Sequence, residues 1–364
     1  MKSYSHPMYF GVAVGLRPVR VVIACVLIAA AAVAALAVFT QVGVGRIERE
    51  NPPSGRFVEV DGGRMHLLEF GDADAPPVVL LHGAGTNLSD MRLALGERLA
   101  ATHRVILIDR PGHGWSERPG GVADASPARQ ALLVHQALVQ IGVSGAIMIA
   151  HSWAGAVATA YALACPDGVA GLVLLAPVTR PWVNNIAWHD SLVKAILAEG
   201  ARAAAIPLVG SLVASTLSLP LGMALIGPSV QSAFAPLEPP PDYLARSGAE
   251  LVLRPSAFTA NAQDMERLDA GIAALAQDYR RITAPTVIVT GDRDGALSPG
   301  THAAAIAAVM PRAKLVVVPG AGHMVHFAAP ERIVSAIVDM SNGGEPGPTR
   351  ARQQCSFAAA PSRT

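Results

Sequence analysis

The chain has 364 residues, enough for one large domain with appendages or for two small domains. Hydrophobic residues make up 51% and charged residues 15%, which excludes a wholly disordered chain and supplies a sizeable core. The net charge is +1, with no basic stripe or acidic block in the body, so nucleic-acid binding has no electrostatic footprint.

In chain order, residues 1–20 read as a short cytoplasmic segment. Residues 21–40 read as a transmembrane signal anchor, with Val21 to Phe39 almost wholly Val, Ile, Leu and Ala. About 20 such residues, rising about 1.5 Å each, span a bilayer core of roughly 30 Å. Lys2, Arg17 and Arg20 precede the run, so the N-terminus is expected to stay cytoplasmic and the body to be exported. A cleaved signal peptide, leaving a secreted protein, is the alternative, because Ala35-Leu36-Ala37 resembles a cleavage site. Residues 41–56 read as a linker.

The body opens with a hairpin, Phe57 to Val60 and Met65 to Phe70 around Asp61-Gly62-Gly63. Apolar strand runs follow at Val78–Leu81, Arg104–Asp109, Ala146–Ala150, Gly171–Ala176, Thr286–Thr290 and Lys314–Val318. Helical patterns lie at Met91–Ala101, Ser126 to about Ile141, Trp153–Ala164, Thr301–Val309 and Pro330–Met340. Continuous apolar strands separated by helices predict a mostly parallel sheet, eight-stranded with the hairpin, covered on both faces. Such a sheet carries function at the carboxyl ends of its strands. The alternation stops between Val178 and Ile282, where an Ala-, Leu- and Pro-rich stretch reads as a helical cap. Within it, Ile206 to Ile226 is apolar but broken by Pro207, Gly210, Pro220 and Gly222, which favours cap helices over a second membrane span. The expected organisation is core at 57–179 and 283–340, cap at 180–282, and a disordered tail at 341–364. Of three cysteines, Cys25 lies in the apolar run and Cys355 in the tail. No disulfide framework or cysteine zinc site is expected, and Cys165 reads as a small core residue.

Ala150-His151-Ser152-Trp153-Ala154-Gly155 follows an apolar strand and opens a helix. A serine at such a junction sits on a sharp turn with its hydroxyl lifted above the sheet edge. The G-x-S-x-G pattern has alanine here at 150 and 154 in place of glycine. A serine hydroxyl needs a base, and the base needs an orienting carboxylate. His323, in the loop after Lys314–Val318, is the candidate base, with His326 second. Asp294, after Thr286–Thr290, is the candidate acid, with Asp292 second. The oxyanion hole needs backbone donors; Trp153 and Ala84 are the candidates, the latter in His82-Gly83-Ala84-Gly85. His82, Gly83 and Gly85 are expected to shape that loop. His6, His151 and His302 look isolated.

These motifs resemble the α/β-hydrolase family, in its serine hydrolase branch with a helical cap. The resemblance rests on His82 to Gly85, Asp109-Arg110-Pro111-Gly112-His113-Gly114-Trp115-Ser116, the turn at Ser152, Gly291 to Asp294, and Gly322-His323, in order over about Phe57 to Met340. It implies a Ser152–Asp294–His323 triad with Ala84 and Trp153 as oxyanion donors. It also implies that the stretch from Asp109 to Ser116 is structural. A serine at 152 argues against the aspartate-dependent dehalogenases and epoxide hydrolases. The expected activity is hydrolysis of a carboxylic ester of an apolar small molecule, with no cofactor and no metal. Thioesterase, lactonase, amidase, carbon–carbon hydrolase, acyltransferase or perhydrolase chemistry remains open on the same triad. So does a non-catalytic small-molecule receptor.

Overall fold

The computed structural model describes residues 16–181, 206, 209–343 and 355–357. The expectations for His6, for most of the tail and for residues 182–205 of the cap lie outside the described residues.

Helix α1 (Leu16–Glu50) is a single helix of 35 residues, about 52 Å long at about 1.5 Å per residue. It is long and apolar enough to cross a membrane. The expected linker from 41 is instead its last turns. Gly43 and Gly45 look like breakers in sequence, yet the helix passes through both. Packing outweighs the glycine penalty of about 1 kcal/mol per residue. Leu219 sits on the bare Cα of Gly43, the Thr40 hydroxyl donates to Thr216 O at 3.4 Å, and Ile47 is buried with Leu219, Leu251 and Leu253.

Eight strands follow: β1 (Arg56–Val60), β2 (Gly63–Phe70), β3 (Pro77–Leu81), β4 (Arg104–Ile108), β5 (Ala146–His151), β6 (Val169–Leu175), β7 (Thr286–Gly291) and β8 (Ala313–Val318). They form one sheet in the order β1-β2-β4-β3-β5-β6-β7-β8. β1 and β2 pair antiparallel, with Val60 opposite Gly63, and β2 pairs antiparallel with β4. All remaining pairs are parallel. β5 is buried along its whole length and runs at the centre of the sheet.

Helices cover both faces, as buried parallel strands require. On one side lie α2 (Pro127–Gln140) and α3 (Ala154–Ala164), which pack Leu133, Val134, Ala154 and Val157 on the sheet. Ser126 caps α2 by accepting from Arg129 N–H at 3.2 Å, with Pro127 in the first turn. On the other side, Leu88, Met91, Leu95 and Leu99 pack with Ile333 and Ile337 of a C-terminal helix, Pro330–Gly343. The cap contributes α4 (Val209–Phe234), continuous despite Pro220 and Pro228, and α5 (Pro255–Ala276).

The cysteine expectation is corrected. Cys165, at the end of α3, is joined to Cys355 by a disulfide across 190 positions. Residues 355–357 therefore dock on the body rather than trailing free. Ser356 N–H donates to Ala164 O at 2.7 Å, and the Phe357 ring lies 5.0 Å from that of His135.

Candidate active site

β5 ends at the middle of the sheet, and the next residue must turn sharply to start α3. Ser152 makes that turn with φ +53°, a left-handed conformation that side chains rarely adopt and that marks stored backbone strain. Its N–H donates to Leu175 O at 2.8 Å, and its carbonyl accepts from Gly155 N–H at 2.9 Å and Val178 N–H at 3.2 Å. The turn is thus pinned from three sides.

The alanines at 150 and 154 do not obstruct it. Both are fully buried, one in β5 and one in the first turn of α3. The close approaches fall at two glycines instead. A Cβ at Gly155 would lie 2.8 Å from Pro177 Cβ. A Cβ at Gly83 would lie 2.9 Å from His151 Nδ1 and 3.3 Å from Ser152 Cβ.

The Ser152 hydroxyl donates to His323 Nε2 at 2.9 Å, and His323 Nδ1–H donates to Asp294 Oδ2 at 2.9 Å. Asp294 is buried, and its other oxygen accepts from Ala296 and Leu297 N–H at 2.8 Å each, which fixes the carboxylate plane. Asp292 is elsewhere, with Oδ1 accepting from Gly320 N–H at 2.7 Å. The structure therefore brings together Ser152, His323 and Asp294, and leaves out His326 and Asp292.

The loop from His82 to Gly85 faces the same turn. His82 Nδ1–H donates to Gly83 O at 2.8 Å, and its Nε2 accepts from Arg110 N–H at 3.0 Å. Complete burial, with the Arg110 charge nearby, holds the His82 pKa well below the ordinary imidazole value, so the ring is a neutral brace. Gly85 takes φ +67°. Among the described residues, no hydrogen bond occupies the backbone N–H of Ala84 or Trp153.

Several residues here had no local sequence signal. Asp264, on cap helix α5, is completely buried and receives Arg110 Nη1 at 2.7 Å, Gln130 Nε2 at 2.9 Å and the guanidinium of Arg118. Arg110 also donates to His82 O and Gly83 O at 3.0 Å each, and its guanidinium carbon lies 4.3 Å above the Trp153 ring. Asn261, one turn before Asp264, accepts from Gly85 N–H at 2.8 Å. The cap thus grips the loop that carries Ala84. Within the stretch from Asp109 to Ser116, the Ser116 hydroxyl donates to Asp109 O at 2.6 Å and the Asp109 carboxylate accepts from Leu88 N–H at 2.8 Å and Trp115 N–H at 2.9 Å.

His151 is not isolated, and it meets His326 in the interior. Both are buried, with ring centroids 4.3 Å apart. His326 Nε2–H donates to Asp90 Oδ2 at 3.0 Å, Tyr243 Oη donates to Asp90 Oδ1 at 2.6 Å, and His151 Nε2–H donates to His323 O at 3.2 Å. Burial first, then the neighbouring His326 and His323 rings, hold the His151 pKa well below the ordinary value. Burial and the Asp90 charge push the Tyr243 hydroxyl pKa up. Asp90, His151 and His326 hold candidate ligand atoms within 4.8 Å of one another, but Asp90 is already engaged by His326 and Tyr243. His302 is also buried, and its Nδ1 accepts from Thr179 N–H at 3.2 Å.

The chain matches the alpha/beta hydrolase fold family over residues 76–330 and belongs to it. It is 29% identical over 295 residues to the dihydrolipoyllysine-residue acetyltransferase component of the acetoin cleaving system of Pseudomonas putida, across 80% of this chain and 70% of that one. An alpha/beta hydrolase fold protein from Burkholderia ambifaria superposes with a TM-score of 0.62 at 26% identity, covering 78% of this chain and 97% of the other. The enol-lactonase of Burkholderia xenovorans LB400 shares the fold with a TM-score of 0.62 at 20% identity, covering 79% of this chain and 100% of that one.

Proposed function

We propose that this chain is a serine hydrolase that cleaves a carboxylic ester, or a related acyl bond, of an apolar molecule through an acyl-enzyme. The observation that carries the reading is the unbroken relay from the Ser152 hydroxyl through His323 to Asp294, with both steps at 2.9 Å, on a serine held at φ +53°. His323 accepts the Ser152 proton as Oγ bonds to the substrate carbonyl carbon. It returns that proton to the departing alcohol when the ester bond breaks. Water then adds by the same route in reverse and frees the acid. Asp294 orients His323 and stabilises its charged form. The N–H groups of Ala84 and Trp153 receive the oxyanion, where loss of one donor typically costs about 10²–10³ in rate.

The apolar substrate is read from the apolar composition of the cap; a cavity of about 230 Å³ beside Gly322 and Met324, which flank His323, is lined by Phe234, Leu237 and Phe327 together with Glu238. We also read α1 as an uncleaved anchor. It is helical straight through Ala35-Leu36-Ala37, and its last turns are built into the body at Thr40 and Ile47. The Cys165–Cys355 disulfide suits an oxidising compartment, in keeping with export of the body.

The test is turnover of p-nitrophenyl esters of graded chain length by the full chain and by Ser152→Ala and His323→Ala. Each variant should lose turnover by roughly 10⁴-fold or more. Undiminished turnover in Ser152→Ala would remove the assignment.

A further inference from the structure

Helix α4 is unusual for a cap element exposed to water. It has no charged residue along its 26 residues, and the nearest charges in sequence are Arg202 and Glu238. Val209 is 48% exposed, Leu212 54% and Met223 52%, and Leu217 and Leu221 are exposed on another side of the helix. A surface helix ordinarily puts charge at its exposed positions. An apolar patch left open in this way marks a contact surface.

The position of α4 says what it contacts. Thr40 of α1 meets Thr216, and Gly43 of α1 meets Leu219, so both contacts keep an offset of 176 positions. The two helices therefore run in the same direction, side by side. At that offset Val209 lies level with Val33 and Leu212 with Leu36. Both α1 positions fall inside the apolar run that ends at Phe39. The first turns of α4 thus reach about 10 Å below the level of Phe39 and Thr40, at about 1.5 Å per residue.

Full crossing by α4 is not required by its length. Pro181 before it and Ala235 after it both belong to the body, so a single span would have to return. The far end of α4 lies at the candidate site, where Phe234 packs with Tyr243 and Met324 beside the His323 loop.

We infer that the exposed first turns of α4, at Val209 and Leu212, form a lipid-contact surface, inserted beside α1, which seats the cap on the bilayer. This rests on the reading of α1 as a membrane anchor. A lipid occupant is favoured over a second copy of the chain because the face is level with, and beside, the run that must itself lie in hydrocarbon. A surface continuous with a membrane span needs no protein partner to cover it.

The test uses the full chain in phosphatidylcholine–phosphatidylglycerol vesicles, spin-labelled at one site at a time with the disulfide intact. Label at native Cys25 reports α1. Label at Leu212→Cys, in a Cys25→Ala background, reports α4. Val139→Cys, on exposed α2, serves as the water reference. The expected result is that both Cys25 and Leu212→Cys collide more with oxygen than with a water-soluble nickel chelate, the inverse of Val139→Cys. If Cys25 gives the lipid signature and Leu212→Cys gives that of water, the inference fails while the anchor stands. If Leu212→Cys is shielded from both reagents, protein covers the face and the inference fails. If Cys25 itself gives the water signature, both the anchor and the inference fall.

Discussion

Asp264 is the strongest structural demand that the cap makes on the core. Its side chain has no solvent exposure and faces two guanidinium groups, one of which, Arg110, is also completely buried. Substituting Asp264→Asn removes the anion and leaves the Arg110 charge sealed in the interior. Breaking a buried pair in this way typically costs about 3–5 kcal/mol. Against a total stability of about 5–15 kcal/mol, the variant should stay folded but close to its margin. The exposed pair Arg64–Glu117, with side chains 50% and 44% accessible, is the internal control, and Glu117→Gln should leave the urea midpoint almost unmoved because solvent screens the pair. Urea unfolding followed by far-UV circular dichroism measures both. Turnover of a water-soluble ester should fall as well, because Arg110 holds the carbonyls of His82 and Gly83 under the proposed oxyanion donor Ala84. Combining Asp264→Leu with Arg110→Met should lose less than the sum of the single changes, with a coupling of about 1–3 kcal/mol. An Asp264→Asn chain within about 1 kcal/mol of the parent, or strictly additive losses, would refute this view of the cap junction.

Three further outcomes follow from the same contacts. His82, His113 and His151 are completely buried with pKa values held well below 6.5, chiefly by burial. The unfolded chain therefore binds their protons first. Stability should be level above about pH 6.5 and decline below it, by up to about 1.4 kcal/mol per pH unit for each ring. Urea midpoints at pH 8, 6.5 and 5 read this, and a midpoint that rises on acidification would contradict the sign. Gly83→Ala places a Cβ against His151 and Ser152, so ester turnover should drop at least about tenfold while the urea midpoint moves little. Turnover at the parent rate would mean that the loop yields. Replacing both Cys165 and Cys355 by Ala opens a loop of 190 positions, worth up to about 5 kcal/mol by chain entropy, and should lower the midpoint, as should reduction by dithiothreitol. Equal midpoints in all three forms would show that the bridge adds no stability.

The hydrogen-bonded trio proposed as the triad was legible in sequence because each member sits in a loop directly after a strand of one parallel sheet. Strand order and chain order then bring Ser152, Asp294 and His323 to one edge. Asp264 and Asn261 were not legible. They lie on an ordinary amphipathic helix, and their partners, Arg110 and Gly85, are 154 and 176 positions away. The weak points of the serine motif were also misplaced by pattern alone. Alanine at 150 and 154 departs from the G-x-S-x-G pattern, whereas the crowding lies at Gly83 and Gly155. The run of α1 beyond residue 40 was hidden because Gly43 and Gly45 signal a break, and only Leu219, packing into the space of a missing side chain, shows why glycine stands there. The cysteine pair was hidden by distance, since Cys355 sits in a polar tail that gives no sign of docking. His151 and His326 form a buried contact that neither residue announces alone.

The most direct test of the proposed function is covalent. The full chain is treated with a fluorophosphonate probe, digested, and mapped by mass spectrometry, alongside Ser152→Ala and Asp294→Asn. The expected result is one modified residue, Ser152, in the parent, no labelling in Ser152→Ala, and labelling slowed by orders of magnitude in Asp294→Asn, where His323 loses its orienting charge. A parent chain that stays unlabelled under conditions that modify a known serine esterase, or that is labelled equally well after Ser152→Ala, would contradict the assignment of Ser152 as the nucleophile.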